Sequence, residues 1–115
     1  MREFEPPPFT IDVAEQGGRT TLNLSGELDL ATVGELEAAL ASRLDAGENV
    51  VVDLRSLAFM DSSGVRALVG AHQSAQDGNG SLVIVRAPQG SEVDRVIDVS
   101  GIATALGMVD EPPAG

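Results

Sequence analysis

The sequence predicts an α/β domain: a mixed four- to five-stranded β-sheet with an initial hairpin and α-helices packed on it. Three observations carry this reading. Phe9, Ile11 and Val13 alternate with Thr10, Asp12 and Ala14, as Leu22 and Leu24 do with Thr21, Asn23 and Ser25, and Gln16-Gly17-Gly18 lies between the two stretches. Val50 to Leu54 and Leu82 to Val85 are dense apolar strings of strand length. Segments with apolar residues at helical spacing lie between and after those strings.

The elements follow in order. The two alternating stretches are strands with one buried face, and Gly17-Gly18 supplies a hairpin turn. Val33, Leu36, Leu40 and Leu44 mark a helix, with Glu35 and Glu37 among its polar positions. Thr32 and Glu35 stand at capping-box spacing, so the helix is expected to start at Thr32, and Gly47 is its expected stop. Val50 to Leu54, broken only by Asp53, suits a strand covered on both faces. Ser62 to Gln76 is expected as a helix with Val65, Leu68, Val69, His72 and Ala75 or Gln76 on one side. Asp77-Gly78-Asn79-Gly80 is a turn and Leu82 to Val85 a second buried strand. Val93, Val96 and Ile97 mark a third helix that Gly101 ends. Ile102 to Val109 reads as a last helical turn or as a short edge strand. The proline-bearing ends, 1–8 and 110–115, are expected as flexible tails on one domain spanning 9–109.

The chain has 115 residues, enough for one domain with its own core. It has no cysteine, so it has no disulfide framework, thiolate metal site or cysteine nucleophile. Eighteen carboxylates stand against seven cationic residues, all arginines, for a net charge of −11. That balance, with three aromatic residues that are all Phe, argues against binding to nucleic acid. An anionic membrane surface would also repel the chain. Proteins with basic patches are the expected partners. No apolar stretch approaches the ~18 residues of a membrane span, and Met1-Arg2-Glu3-Phe4-Glu5 is too acidic for a signal peptide. We therefore expect a free-standing cytoplasmic module.

The stretch richest in chemistry runs from Val50 to Gly64. A buried strand leads through a short apolar loop, ending in Phe59-Met60, to a helix start at Asp61-Ser62-Ser63-Gly64. Asp and Ser are both favoured at helix caps, which is the plain reading of these residues. Three polar side chains exceed the need of one cap, and Phe59 and Met60 set apolar surface beside the hydroxyls. Strand ends next to helix N-termini are where α/β sheets place functional groups, because free N–H groups and the positive helix end converge there. Glu27 and Asp29 read plainly as solvated acids in a loop after the second strand. Two carboxylates can serve general acid–base chemistry, but nothing supplies a substrate pocket. Gly17-Gly18 and Gly78-Asn79-Gly80 are turns rather than phosphate loops. His72, the single histidine, is assigned no role, and no cofactor or metal site is expected.

Two rival chemistries fit poorly. A serine hydrolase needs Gly-x-Ser-x-Gly around its nucleophile, whereas Met60 precedes Ser62 by two positions and Asp61 precedes Ser63 by two. A response-regulator receiver would explain Asp53 near a strand end, but that family uses a lysine, and this chain has none.

Val50 to Gly64 resembles the signature of STAS domains, specifically of bacterial anti-sigma factor antagonists. Gly26-Glu27-Leu28-Asp29 resembles the second signature of that family, and Asp98-Val99-Ser100-Gly101-Ile102 resembles the close of its third helix. The resemblance runs from about Phe9 to Val109. It implies a single STAS domain without enzymatic activity. It also implies that Ser62, directly after Asp61, is the phosphorylated residue rather than Ser63. The implied partners are a serine kinase that doubles as the anti-sigma factor and a metal-dependent protein phosphatase. The unmodified antagonist would bind the kinase and free the sigma factor. Glu27, Asp29, Phe59, Met60, Asp61, Ser63 and Gly64 are implied as partner-binding or site-supporting. The alternative is a STAS interaction module in another assembly, such as a stress-sensing or lipid-transport complex. A phosphate adds about −1.5 to −2 charges. A helix start tolerates that charge, and a packed interface beside Asp61 does not.

Overall fold

A computed structural model describes residues 8–113. The elements run β1 (Thr10–Gln16), β2 (Arg19–Leu28), α1 (Val33–Asp45), β3 (Asn49–Asp53), β4 (Leu57–Met60), α2 (Ser62–Asp77), β5 (Ser81–Val85), α3 (Glu92–Ser100) and α4 (Ile102–Ala105). β1 and β2 form the expected antiparallel hairpin, with Gln16 opposite Arg19. The turn between them uses Gly17 and Gly18 at φ 60° and 78°, a region that favours glycine. β3 joins β2 in parallel and β5 joins β3 in parallel, giving the order β1-β2-β3-β5. Parallel neighbours need crossover connections, which α1 and α2 supply. The sheet is therefore mixed, and it has five strands.

The fifth strand corrects the sequence reading. Leu57–Met60, expected as part of a loop, forms β4 parallel to the end of β2, with Glu27 opposite Phe59 and Leu28 opposite Met60. β3 pairs with Arg19–Asn23 of β2 and β4 with Gly26–Leu28. The two short strands thus share one lane along β2. A tight turn, in which the Leu57 N–H donates to the Leu54 carbonyl, separates them. Leu57 and Met60 are buried while Ala58 and Phe59 are exposed, a pattern without alternation that hides a strand from periodicity. With β4 beside it, β2 runs on to Leu28 through a register shift between Gly26 and Glu27. Gly26 sits at φ 86°, and a Cβ there would strike the Pro8 carbonyl and lie 2.8 Å from Phe9 Cα. Glu27 is consequently a strand residue and not part of a loop.

The helices cover one face of the sheet. Leu22, Leu24 and Leu28 of β2, Val50 and Val52 of β3 and Ile84 of β5 form one core with the helices. α1 contributes Val33, Leu36, Leu40 and Leu44, the four residues its spacing predicts, and α3 contributes Val93 and Ile97. Gly101, at φ 68°, ends α3 as expected. The buried stripe of α2 differs from expectation: it is Ser63, Gly64, Ala67, Leu68 and Ala71. Val65, Val69, His72 and Ala75 are only partly buried and Gln76 is exposed. Small side chains let α2 lie close against its neighbours, and hydropathy alone undervalues them.

Val51 faces away from the helices, yet it is only 1% exposed. Pro112 and Pro113 share a shallow cleft with Val51, Arg19 and Thr21, and Arg19 Nη1 donates to the Pro113 carbonyl at 3.2 Å. Of the two forms considered for the segment before them, the helical turn is the one that forms, over Ile102–Ala105, and Val109 makes only an isolated parallel bridge with Val85. Of the expected tails, residues 1–7 and 114–115 lie outside the described residues.

Candidate functional site

The end of β2 and the start of α2 meet at one corner of the sheet. The pairing of Glu27 with Phe59 and Leu28 with Met60 brings the two sequence motifs side by side. The Asp61 N–H then donates to the Leu28 carbonyl at 3.2 Å, closing the join. Glu27, Phe59 and Met60 fall on the two strand ends, Asp29 in the turn just after β2, and Asp61, Ser62, Ser63 and Gly64 at the cap and first turn of α2.

Their environments differ sharply. Asp61 is the N-cap of α2, and its Oδ1 accepts from the Ser63 N–H at 2.8 Å. Ser63 is 8% exposed, whereas Ser62, the first residue of the helix, is exposed. The plain cap role thus belongs to Asp61 and not to either serine. Met60 is fully buried and Phe59 is 37% exposed, so Phe59 alone of that pair reaches the surface. Gly64 permits close packing: a Cβ there would lie 2.5 Å from Met60 Cγ and 2.9 Å from Leu28 Cδ2.

Asp29 has a structural role of its own. Its Oδ1 accepts from the Ala31 N–H at 3.0 Å and the Thr32 N–H at 3.2 Å, fixing the turn into α1. Thr32 precedes the first helical residue as expected, but the capping box does not form. Its hydroxyl instead donates to the Glu27 carbonyl at 2.9 Å and accepts from the Asp29 N–H at 3.0 Å. Nearness in space to the β2 end makes that backbone a better partner than the helix. Sequence reasoning missed Leu30, which is 76% exposed in this turn. A lone leucine between two acidic motif residues and a helix start, outside any periodic pattern, was the available signal.

The surface at this corner mixes apolar groups, Phe59 and Leu30, with the carboxylates of Glu27, Asp29 and Asp61 around an exposed hydroxyl. His72 lies ten residues beyond Ser62 on the same helix, about 15 Å along its axis, out of reach of a proton on that hydroxyl. Asp53, the receiver-like candidate, is 5% exposed. It is engaged by Arg55, with Nη2 to Oδ2 at 2.8 Å and Nε to Oδ1 at 3.1 Å. Burial pushes its carboxyl up, and the Arg55 hydrogen bonds and charge outweigh that and hold it below the usual carboxylate range. Among the described residues, no three His, Asp or Glu side chains gather as a metal site requires, and no helix is long and apolar enough to cross a membrane.

Comparison with known proteins agrees with this layout. A family model described as Mlab, STAS domain matches residues 11–110. The chain is 30% identical over 98 residues to the anti-sigma-F factor antagonist RsfB of Mycobacterium tuberculosis, covering 84% of this chain and 78% of that protein. It is 24% identical over 107 residues to the anti-sigma-B factor antagonist of Bacillus subtilis, covering 93% and 96%. Among solved structures it is similar to an anti-sigma factor antagonist from Mycobacterium paratuberculosis, with a TM-score of 0.79 at 23% identity over 90% of this chain and 87% of that one. It is also similar to the unphosphorylated form of the antagonist SpoIIAA, with a TM-score of 0.72 at 24% identity over 90% and 89%. SpoIIAA has also been solved in a phosphorylated form, which matches with a TM-score of 0.66 at 23% identity over 91% and 92%. At these identities the structural likeness shows the shared fold.

Proposed function

The chain belongs to the STAS domain family, among the anti-sigma factor antagonists, and from that premise we propose that it is a phosphorylation-controlled partner switch. In its unmodified form it binds a serine kinase that is also the anti-sigma factor, and the sigma factor is freed. Phosphorylation of Ser62 ends that binding, and a metal-dependent protein phosphatase restores it. In this reading the chain is a cytoplasmic regulator and not an enzyme.

The single observation that carries the reading is the contrast between adjacent serines. Ser62 is exposed at the helix start while Ser63 is 8% exposed and its N–H is taken by Asp61. A kinase can reach the first hydroxyl and not the second. A phosphate there gains from the helix N-terminus, so the fold survives. The same dianion pressed into an interface already lined by Asp61 and Glu27 faces like charges and desolvation, so the complex does not. The net charge of −11 suits a basic partner surface.

The test uses candidate kinase anti-sigma factors with ATP, phosphosite mapping by mass spectrometry, and a transcription assay containing the sigma factor. Label is expected on Ser62 alone. Ser62→Ala should keep releasing the sigma factor after the wild type has been phosphorylated and silenced. Label confined to Ser63 or to another serine would defeat the assignment. Failure to bind any such kinase would favour a STAS module in a different assembly.

A further inference from the structure

Arg66 stands four residues after Ser62 on α2, and both are exposed. Residues at this spacing share a helix face. Long helical side chains lean toward the N-terminus and cover the turn before their own Cα. For Arg66 that turn is the one carrying Ser62. Acid N-terminal to base at this spacing is the favoured order. Among the described residues Arg66 has no ion-pair partner, whereas Arg43, Arg55 and Arg86 each hold a carboxylate. The charged groups on the elements that meet at Ser62 include several acids. Asp61 adjoins it, and Glu27 and Asp29 approach from the end of β2. Glu37 and Asp45 of α1 line, with Arg66, the groove between the two helices. Within α2, a phosphate on Ser62 therefore has one arginine a helical turn away.

We propose that Arg66 is an internal phosphate-binding residue, which pairs with phosphorylated Ser62 on the same helix and holds the added charge against α2. This rests on Ser62 being the acceptor. The guanidinium offers a planar fork that matches phosphate oxygens in pairs. Pairing favours the dianion over the monoanion, so it lowers the second ionisation of the phosphate. It also draws Arg66 toward the helix start and away from the carboxylates of α1.

The test places phosphoserine at position 62 of the full chain during translation, which needs no kinase. Failure of the kinase assay above is thereby kept distinct from failure here. Phosphorus-31 NMR then follows the phosphate through its titration. Arg66→Gln should raise the second pKa of the phosphoserine by about 0.1–0.4 pH units relative to wild type. Arg66→Lys should recover part of that difference, and about 1 M salt should erase most of it. Without the phosphate, Arg66→Gln and wild type should melt together, because the Arg66 side chain is exposed. Equal titration curves for wild type, Arg66→Gln and Arg66→Lys at low salt would overturn the proposal. So would a difference that salt leaves intact.

Discussion

Asp61 caps α2 through Ser63: its Oδ1 accepts the Ser63 N–H at 2.8 Å, and Ser62 between them is left exposed. The cap and the proposed switch thus lie on neighbouring residues, which separates their mutational effects. Asp61→Ala should cost about 0.5–2 kcal/mol of stability, the usual loss for a removed cap. Ser62→Ala should cost less than about 0.5 kcal/mol, as exposed substitutions generally do. Urea midpoints on both variants check this. A larger loss for Ser62→Ala than for Asp61→Ala would assign the cap to the serine.

Gly64 joins stability to the shape of the site. A Cβ at this position would lie 2.5 Å from Met60 Cγ and 2.9 Å from Leu28 Cδ2, and both side chains are fully buried. Overpacking of this kind costs about 1–3 kcal/mol, partly offset by the better helix propensity of alanine, up to about 1 kcal/mol. Gly64→Ala should therefore be less stable than wild type by about 1–2 kcal/mol. Crowding should also displace the helix start that presents Ser62. Wild-type stability together with unchanged phosphorylation would show that the close approach has slack.

Most of this fold was legible because its strands and helices obey simple periods. Leu22 and Leu24 alternate, Leu36, Leu40 and Leu44 recur each turn, and Gly17, Gly47 and Gly101 all stand at positive φ where the chain turns or a helix ends. Leu57–Met60 obeys no period, because only its first and last residues are buried. Its strand identity comes from β2, a partner thirty residues earlier, and local sequence does not encode that pairing. The same long-range join moved Glu27 into a strand and drew the Thr32 hydroxyl away from its helix. The site motifs were legible as motifs, since polar residues clustered after apolar strings stand out. Which of two identical side chains is exposed was not, because burial of Ser63 depends on how α2 seats against the sheet.

Acid should weaken the fold through two buried carboxylates. The Gly90 N–H and the Arg86 guanidinium hold Asp94 below the ordinary carboxylate range, and Arg55 does the same for Asp53 against its burial. In the unfolded chain both groups protonate near the usual value of about 3.9. As pH falls below about 5, the unfolded state takes up protons first, so the stability these pairs give above that pH drains away until the folded carboxyls also protonate. Melting temperature should therefore fall from about pH 5 downward, and Asp53→Asn and Asp94→Asn should flatten that fall while lowering the plateau near neutrality. An acid slope unchanged in the double variant would place the sensitivity elsewhere.

Leu30 offers the cleanest separation of contact from fold. It is 76% exposed, so its side chain adds little to the core. It lies in the turn held by Asp29, two residues past the Leu28 carbonyl that accepts from Asp61, and hence beside the helix start that carries Ser62. Exposed leucines are common, but one placed at a candidate contact surface gains free energy only when a partner covers it. Full burial of a leucine is worth about 1.5–3 kcal/mol, which corresponds to roughly 10- to 100-fold in affinity. Leu30→Ala should therefore weaken binding to the kinase by that order while leaving the melting temperature unchanged. Val13→Ala is the control. Val13 is 47% exposed on β1 opposite Leu22, in the half of β2 away from Leu28, and should leave the affinity intact. Titration calorimetry for affinity and thermal melts for stability, run on the same preparations of the three proteins, read the two quantities. Equal affinities for wild type and Leu30→Ala would remove this turn from the interface. A loss shared by Val13→Ala would show that the contact extends across the hairpin.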